Sequence, residues 1–192
     1  MEKKQQLYDA AKAIFSEKGF KEANVSAITS AAHMAVGTFY LYYNSKEQLF
    51  MEIFRNENAA LKQSCLDALD LTQSPLFVIR QMLRLNQEGI QANPILREWY
   101  QSEDFRKIEA TYREEHAIDS LGFLYDTFLG LIERWQQEGK MRADIDSKRI
   151  MLVFAAVINI DTHKDELGVE HFPELLDLMT ELLVNSLTNC SA

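Results

Sequence analysis

The sequence predicts an all-α protein, with a small three-helix head followed by a larger helical body, on three observations. Its 192 residues hold only seven Gly and three Pro, which leaves little room for a loop-rich β fold. Beyond residue 50 apolar residues recur at helical spacing, with Gly and Pro confined to a few punctuation points. Residues 19–50, GFKEANVSAITSAAHMAVGTFYLYYNSKEQLF, lay out a short helix, a tight turn and a second helix.

The elements follow in order. Leu7, Ala11, Ile14 and Phe15 form one face of an amphipathic first helix, which Gly19 stops. Asn24 is a candidate N-cap for a second helix whose Val25, Ile28 and Ala32 face inward. A third helix is expected over roughly 35–43; with Phe39 toward the core, Gly37 and Leu41 point opposite and Thr38 and Tyr40 flank them. Asn44 and Ser45 cap a fourth helix over about 46–69, with Gln48 completing a Ser-x-x-Gln capping box and Lys46 exposed in the first turn. Ser74-Pro75 starts a fifth helix and Asn93-Pro94 ends it. Ser102 begins a helical stretch reaching Gln137 or Glu138 before Gly139, Asp146 caps a helix to about His163, and Pro173 opens a last one to about Leu187.

An outward face of Gly, Thr, Leu and Tyr suits a nucleic-acid groove. Gly lets the backbone approach closely, Thr offers a hydroxyl and a methyl to base edges, Leu meets a thymine methyl, and Tyr reaches phosphate oxygens. On periodicity alone the same stretch also reads as three packed helices at the end of an all-helical protein.

The run Gly37-Thr38-Phe39-Tyr40-Leu41-Tyr42-Tyr43, followed by Asn44-Ser45-Lys46-Glu47-Gln48-Leu49-Phe50 and preceded by Ile28, resembles the DNA-binding domain of the TetR family of bacterial transcriptional regulators. The resemblance implies an N-terminal helix-turn-helix DNA-binding domain over 1–48 and a C-terminal helical bundle for ligand binding and dimerisation over 49–192. It also implies that Asn24, Val25, Tyr40, Tyr42 and Lys46 touch phosphates, while Val36, Gly37, Thr38 and Leu41 face bases. Three positions depart from the family pattern: His33 replaces the turn glycine, Ala35 a Ser or Thr cap, and Val36 a polar or basic residue. His33 is either a DNA contact or a residue tolerating a left-handed turn.

Charge is not that of a highly basic DNA binder. The chain carries −9 overall, and residues 1–48 hold six Lys, no Arg and five acidic residues, close to neutral. DNA binding must then rest on hydroxyls, backbone N–H groups and a few lysines. The composition, 47% apolar and 26% charged, is that of an ordinary globular protein. The sequence shows neither a leader with a cleavage site nor an apolar run near eighteen residues, so a cytoplasmic location and no membrane partner are expected. Cys65 and Cys190 are expected as free thiols.

The stretch Gly139 to Asp146 and the apolar helix after it look like the entry to the family's eighth helix, and Pro173 to Leu187 like its ninth. In the family this pair usually builds a four-helix dimer interface. The apolar stripes permit this, with Phe154, Val157, Met179, Leu182 and Leu183 as candidates. Leu121, Tyr125, Phe128, Ile132 and Trp135 form a continuous stripe that is either core or pocket. The resemblance implies a small effector among these helices, and a hydrophobic or aromatic compound would suit Trp99, Tyr125, Phe128 and Asn159.

No phosphate-cradling glycine loop, zinc-protease motif or nucleophile elbow occurs, so catalysis is not expected, and no cofactor is implied. Asp161, His163, Asp165, Glu166 and His171 do not match metal-ligand spacing and read as a solvated helix end. The expectation is a homodimeric regulator, a repressor released by a small molecule from an inverted-repeat operator. The rival is a helix-turn-helix protein that organises DNA or acts only through protein contacts.

Overall fold

A computed structural model describes residues 2–101, 122–159 and 172–188, and the elements among them are all helical. These are α1 (Glu2–Glu22), α2 (Val25–Ala31), α3 (Val36–Phe39), α4 (Lys46–Asp67), α5 (Pro75–Ala92), α6 (Pro94–Gln101), α7 (Gly122–Gln137), α8 (Ser147–Asn159) and α9 (Phe172–Thr188). The chain divides into two compact units, Met1–Cys65 with Asn86–Ser120, and Leu66–Leu85 with Leu121–Ala192.

The first unit is built round Leu7, Phe15, Ile28, Phe39, Tyr43, Leu49, Phe50 and Ile53, joined by Ile95, Leu96 and Trp99. α1 is kinked at Gly19, whose φ of 77° and ψ of 170° are open essentially to glycine alone, so the periodic helix stops there and one further turn follows. That turn brings Phe20 against Phe15 and Phe50, with ring centroids 5.9 and 5.1 Å away. α6 is absent from the sequence reading, which took Asn93-Pro94 only as a stop. The same dipeptide also starts a helix: Asn93 Oδ1 accepts from Ile95 N–H at 3.0 Å and Leu96 N–H at 3.3 Å, and Pro94 opens the first turn.

The second unit packs Val78 and Ile79 of α5, Leu131, Ile132 and Trp135 of α7, Ile150 of α8 and Val184 and Leu187 of α9. α7 ends in a left-handed turn at Gly139 (φ 68°), where Gly139 N–H donates to Gln136 O and Lys140 N–H to Trp135 O. Gln136 Nε2 then donates to the carbonyls of Arg142 and Ile145, and Asp146 Oδ1 caps α8 through the N–H groups of Lys148 and Arg149. The onset expected at Ser102 and the acidic run Asp161 to His171 lie outside the described residues. Among the described residues no group of three metal-ligating side chains converges, and no helix is long and apolar enough to cross a membrane.

Candidate nucleic-acid interface

α2 and α3 are set by backbone chemistry that the sequence declares locally. Asn24 Oδ1 accepts from Ala27 N–H at 2.8 Å and starts α2. α2 closes with Met34 N–H donating to Thr29 O at 2.8 Å and His33 N–H to Ser30 O at 3.1 Å, the paired bonds of a left-handed C-terminal turn. His33 holds the left-handed position itself, at φ 55°. It therefore serves the turn geometry that glycine serves at the end of α7.

α3 is shorter than the sequence suggests. Its regular helix covers Val36–Phe39 only, because Tyr40 flattens to ψ −7°. Leu41 N–H and Tyr42 N–H then bond three residues back, to Thr38 O and Phe39 O. The predicted facing holds all the same: Phe39 is wholly buried, whereas Leu41 is 78% and Tyr40 56% exposed. Val36 is exposed and Thr38 half-buried. A Cβ added at Gly37 would meet nothing within 4 Å, so the fold itself does not require a glycine there. Tyr42 is half-buried against the first core and Val25 packs there too.

Lys46 differs from expectation. Instead of standing exposed, it is half-buried and its ammonium donates to Phe20 O at 2.7 Å and Ala23 O at 2.8 Å, 4.1 Å from the Phe20 ring centre. The carbonyls freed by the Gly19 kink attract it. Ser45 and Gln48 make the capping box one residue stretched: Gln48 N–H donates to Ser45 Oγ, but the Gln48 side chain accepts from Asn44 N–H at 2.6 Å.

Other lysines of the head are likewise engaged. Lys4 pairs with Glu52 at 2.9 Å over the Tyr43 ring, and Lys12 pairs with Glu57 at 2.5 Å. Burial and the Glu52 carboxylate push the Tyr43 hydroxyl far above the ordinary tyrosine range. Lys3 is exposed and lines an open groove of about 650 Å³ with Gln6, His33, Ala35 and Thr38. Sequence reasoning missed Lys3 as a groove residue, because nothing in the pattern of α1 shows that its first turn lies beside the α2–α3 turn.

Residues 7–53 match the family model for bacterial regulatory proteins of the tetR family. Over that span the chain carries a tetR-type DNA-binding domain. The matched span begins and ends on the core residues Leu7 and Ile53, both wholly buried. The fatty acid metabolism regulator protein of Bacillus subtilis is 36% identical over 52 residues, 27% of each chain. The HTH-type transcriptional repressor KstR2 of Rhodococcus jostii is 24% identical over 141 residues, 73% of this chain and 69% of the relative. The fold matches that of the Bacillus subtilis FadR solved with stearoyl-CoA, with a TM-score of 0.59 at 16% identity, covering 96% of this chain and 97% of that one. The N-terminal head is thus a helix-turn-helix of the tetR type, and the fold of the described residues is that of the solved regulators it resembles.

The body residues singled out from sequence fall in both units. Trp99 is in the first core, stacked on Phe54 at 4.2 Å. Tyr125 and Phe128 are on α7 in the second unit, the former at the surface and the latter against its core. Asn159 is the last described residue of α8, and its side chain lies outside the description. Phe154 and Leu183 pack on the second core, Val157 and Met179 are half-buried, and Leu182 is 62% exposed. The apolar side chains most open to solvent on α8 and α9 also include Leu152, Val153 and Leu178. Leu152 and Leu178 were not singled out, because both helices are apolar around most of their circumference and periodicity cannot say which stripe faces out.

Proposed function

We propose that this chain acts as a TetR-like homodimeric repressor that binds an inverted-repeat operator and leaves it when a small, largely apolar effector binds the body. The observation that carries the DNA half is the surface around Phe39: Val36, Gly37, Tyr40 and Leu41 stand in solvent with no structural use for their exposure. Val36, Gly37, Thr38 and Leu41 are assigned to base edges. Asn24, Val25, Tyr40, Tyr42 and Lys3 are assigned to the phosphate backbone, with Lys46 contributing only insofar as its ammonium can leave the Phe20 and Ala23 carbonyls. The dimer would close through α8 and α9, whose Leu152, Val153, Leu178 and Leu182 expose apolar surface that a second copy would cover. Tyr125, Phe128, Asn159 and Trp99 are the effector candidates; a solved protein of like fold holds stearoyl-CoA. The chain is not assigned a catalytic role.

Selection of genomic fragments by the purified full chain tests this reading. Enrichment of one promoter-proximal inverted repeat is expected, with half-sites one helical turn, roughly 34–36 Å, or a multiple apart. Many scattered sites would favour a DNA-organising protein, and no enrichment would overturn the assignment.

A further inference from the structure

α4 carries a cation without an anion and an acceptor without a donor on the same face. Lys62, in the second turn of α4 from its C-terminal end, donates to Asn86 Oδ1 of α5. That amide oxygen is neutral, and among the described residues no carboxylate pairs with the ammonium or lies near enough to raise its affinity for protons. Burial pulls Lys62 below the ordinary lysine range, with only Cys65 opposing. Cys65, three residues on, offers no counter-charge: it is buried, and burial pushes its thiol up, so it stays protonated. One turn earlier, at the i−4 position, Asn58 Oδ1 is buried with no hydrogen-bond partner.

Each of these groups alone is costly. A desolvated ammonium with one neutral partner, and an amide oxygen with none, are conditions that folding removes unless something else supplies the missing partner. Close packing adjoins them: a Cβ on Gly89 of α5 would lie 2.1 Å from Leu61 Cδ1, so α4 and α5 touch backbone to side chain one residue from Lys62. The position of Lys62 is thus fixed by packing rather than by its charge.

We propose that Lys62, with Asn86 and Asn58 beside it, anchors the acidic head of an amphipathic effector, an organic anion with a carboxylate or phosphate on an apolar body. The oxygens of the head take the remaining Lys62 hydrogens, and a hydroxyl or amide N–H next to it satisfies Asn58 Oδ1. The proposal rests on the reading of the chain as an effector-released regulator and names the chemical class of that effector.

The test is calorimetric titration of the full chain with decanoate and 2-naphthoate, each beside its uncharged counterpart, decanol and 2-naphthalenemethanol. At least one acid is expected to bind saturably and more tightly than its alcohol by about tenfold or more, the value of a charge-assisted hydrogen bond. Lys62→Met should lose that preference, Lys62→Arg should keep part of it, and ligand-free Lys62→Met should melt at or above the wild-type temperature, since it removes a partly desolvated charge that has no counter-charge. Binding of neither acid, equal binding of acid and alcohol, retention of the preference by Lys62→Met, or a lower melting point for that variant would each overturn the proposal. Failure of the wild-type chain to select any DNA would overturn the regulator reading alone, because the calorimetry needs no operator.

Discussion

Glu98 of α6 takes the backbone N–H of Phe20 with both carboxylate oxygens, at 2.7 and 2.9 Å. The carbonyl of the same residue accepts from Lys46. A single peptide segment at the Gly19 kink is therefore clamped between a carboxylate 78 residues away and an ammonium 26 residues away. Glu98→Ala strips a part-buried N–H of a charged partner and should lower stability by about 1.5–3 kcal/mol. Glu98→Gln keeps one acceptor and should lose less. Gly19→Ala should be costly too, by roughly 1–3 kcal/mol for the backbone strain alone, and its Cβ would stand 3.1 Å from Glu98 Oε1. Thermal melts of the three variants decide; no change in Glu98→Ala would mean that the clamp is idle.

The reading surface should be separable from the fold. Thr38→Ala with Tyr40→Ala removes contacts worth roughly 1–3 kcal/mol each on DNA, so specific operator binding in an anisotropy assay should fall by well over about tenfold, with helicity and melting temperature nearly unchanged. Gly37→Ala has open space around its Cβ and gains up to about 1 kcal/mol of helix propensity, yet it should bind operator more weakly. Undiminished binding by either variant would remove α3 from the groove.

Salt dependence should distinguish the lysines. Log affinity falls with log salt by about 0.9 per neutralised phosphate, and Lys4, Lys12 and Lys46 are occupied inside the head. The slope should be shallow. Lys3→Ala should reduce it by about one phosphate with an unchanged melting temperature, whereas Lys46→Met should lower the melting temperature with little effect on the slope. The opposite pattern would return Lys46 to the phosphate backbone.

His33 sits at φ 55°, a strained position for any residue with a Cβ. His33→Gly should raise stability by about 0.5–1 kcal/mol, roughly 1–4 °C in melting temperature, and His33→Val should lower it. If His33→Gly abolished DNA binding while stabilising the fold, the imidazole would be a DNA contact after all.

Leu178→Glu with Leu182→Glu places two charges on side chains that are 52% and 62% exposed in the isolated chain, so folding should survive. Dimerisation should not, since an interface would bury both charges unpaired. A dimer persisting in light scattering would move the interface elsewhere.

What the sequence reveals is whatever chemistry is local. The Asn24 and Asp146 caps, the turn at His33 and the inward Phe39 each depend on neighbours within five residues, and each is readable from residue type and spacing. α6 escaped because eight residues give barely two turns of pattern and the proline that opens it reads equally as a stop. Lys46 was misjudged because its partners, Phe20 at the end of α1 and Ala23 just after it, lie more than twenty residues away in sequence. Lys62 and Asn58 look like ordinary polar residues of an exposed helix face; only packing against α5 makes them unusual.

α6 also changes how this chain can be taken apart. A hybrid that joined this head to the body of another protein would naturally set its joint at the end of α3 or of α4. Here such a joint would part Phe20 from Glu98, would take Trp99 from its stack on Phe54, and would remove Ile95 and Leu96 from the core they share with Leu7 and Phe15. The transplantable piece is discontinuous along the chain: it needs α1 to α4 together with the end of α5 and α6, including the Asn93 side chain, which caps α6 and donates to Glu57 at 2.8 Å. A graft carrying both segments should keep its folded head, and one carrying only the first exports a head that has lost its own floor.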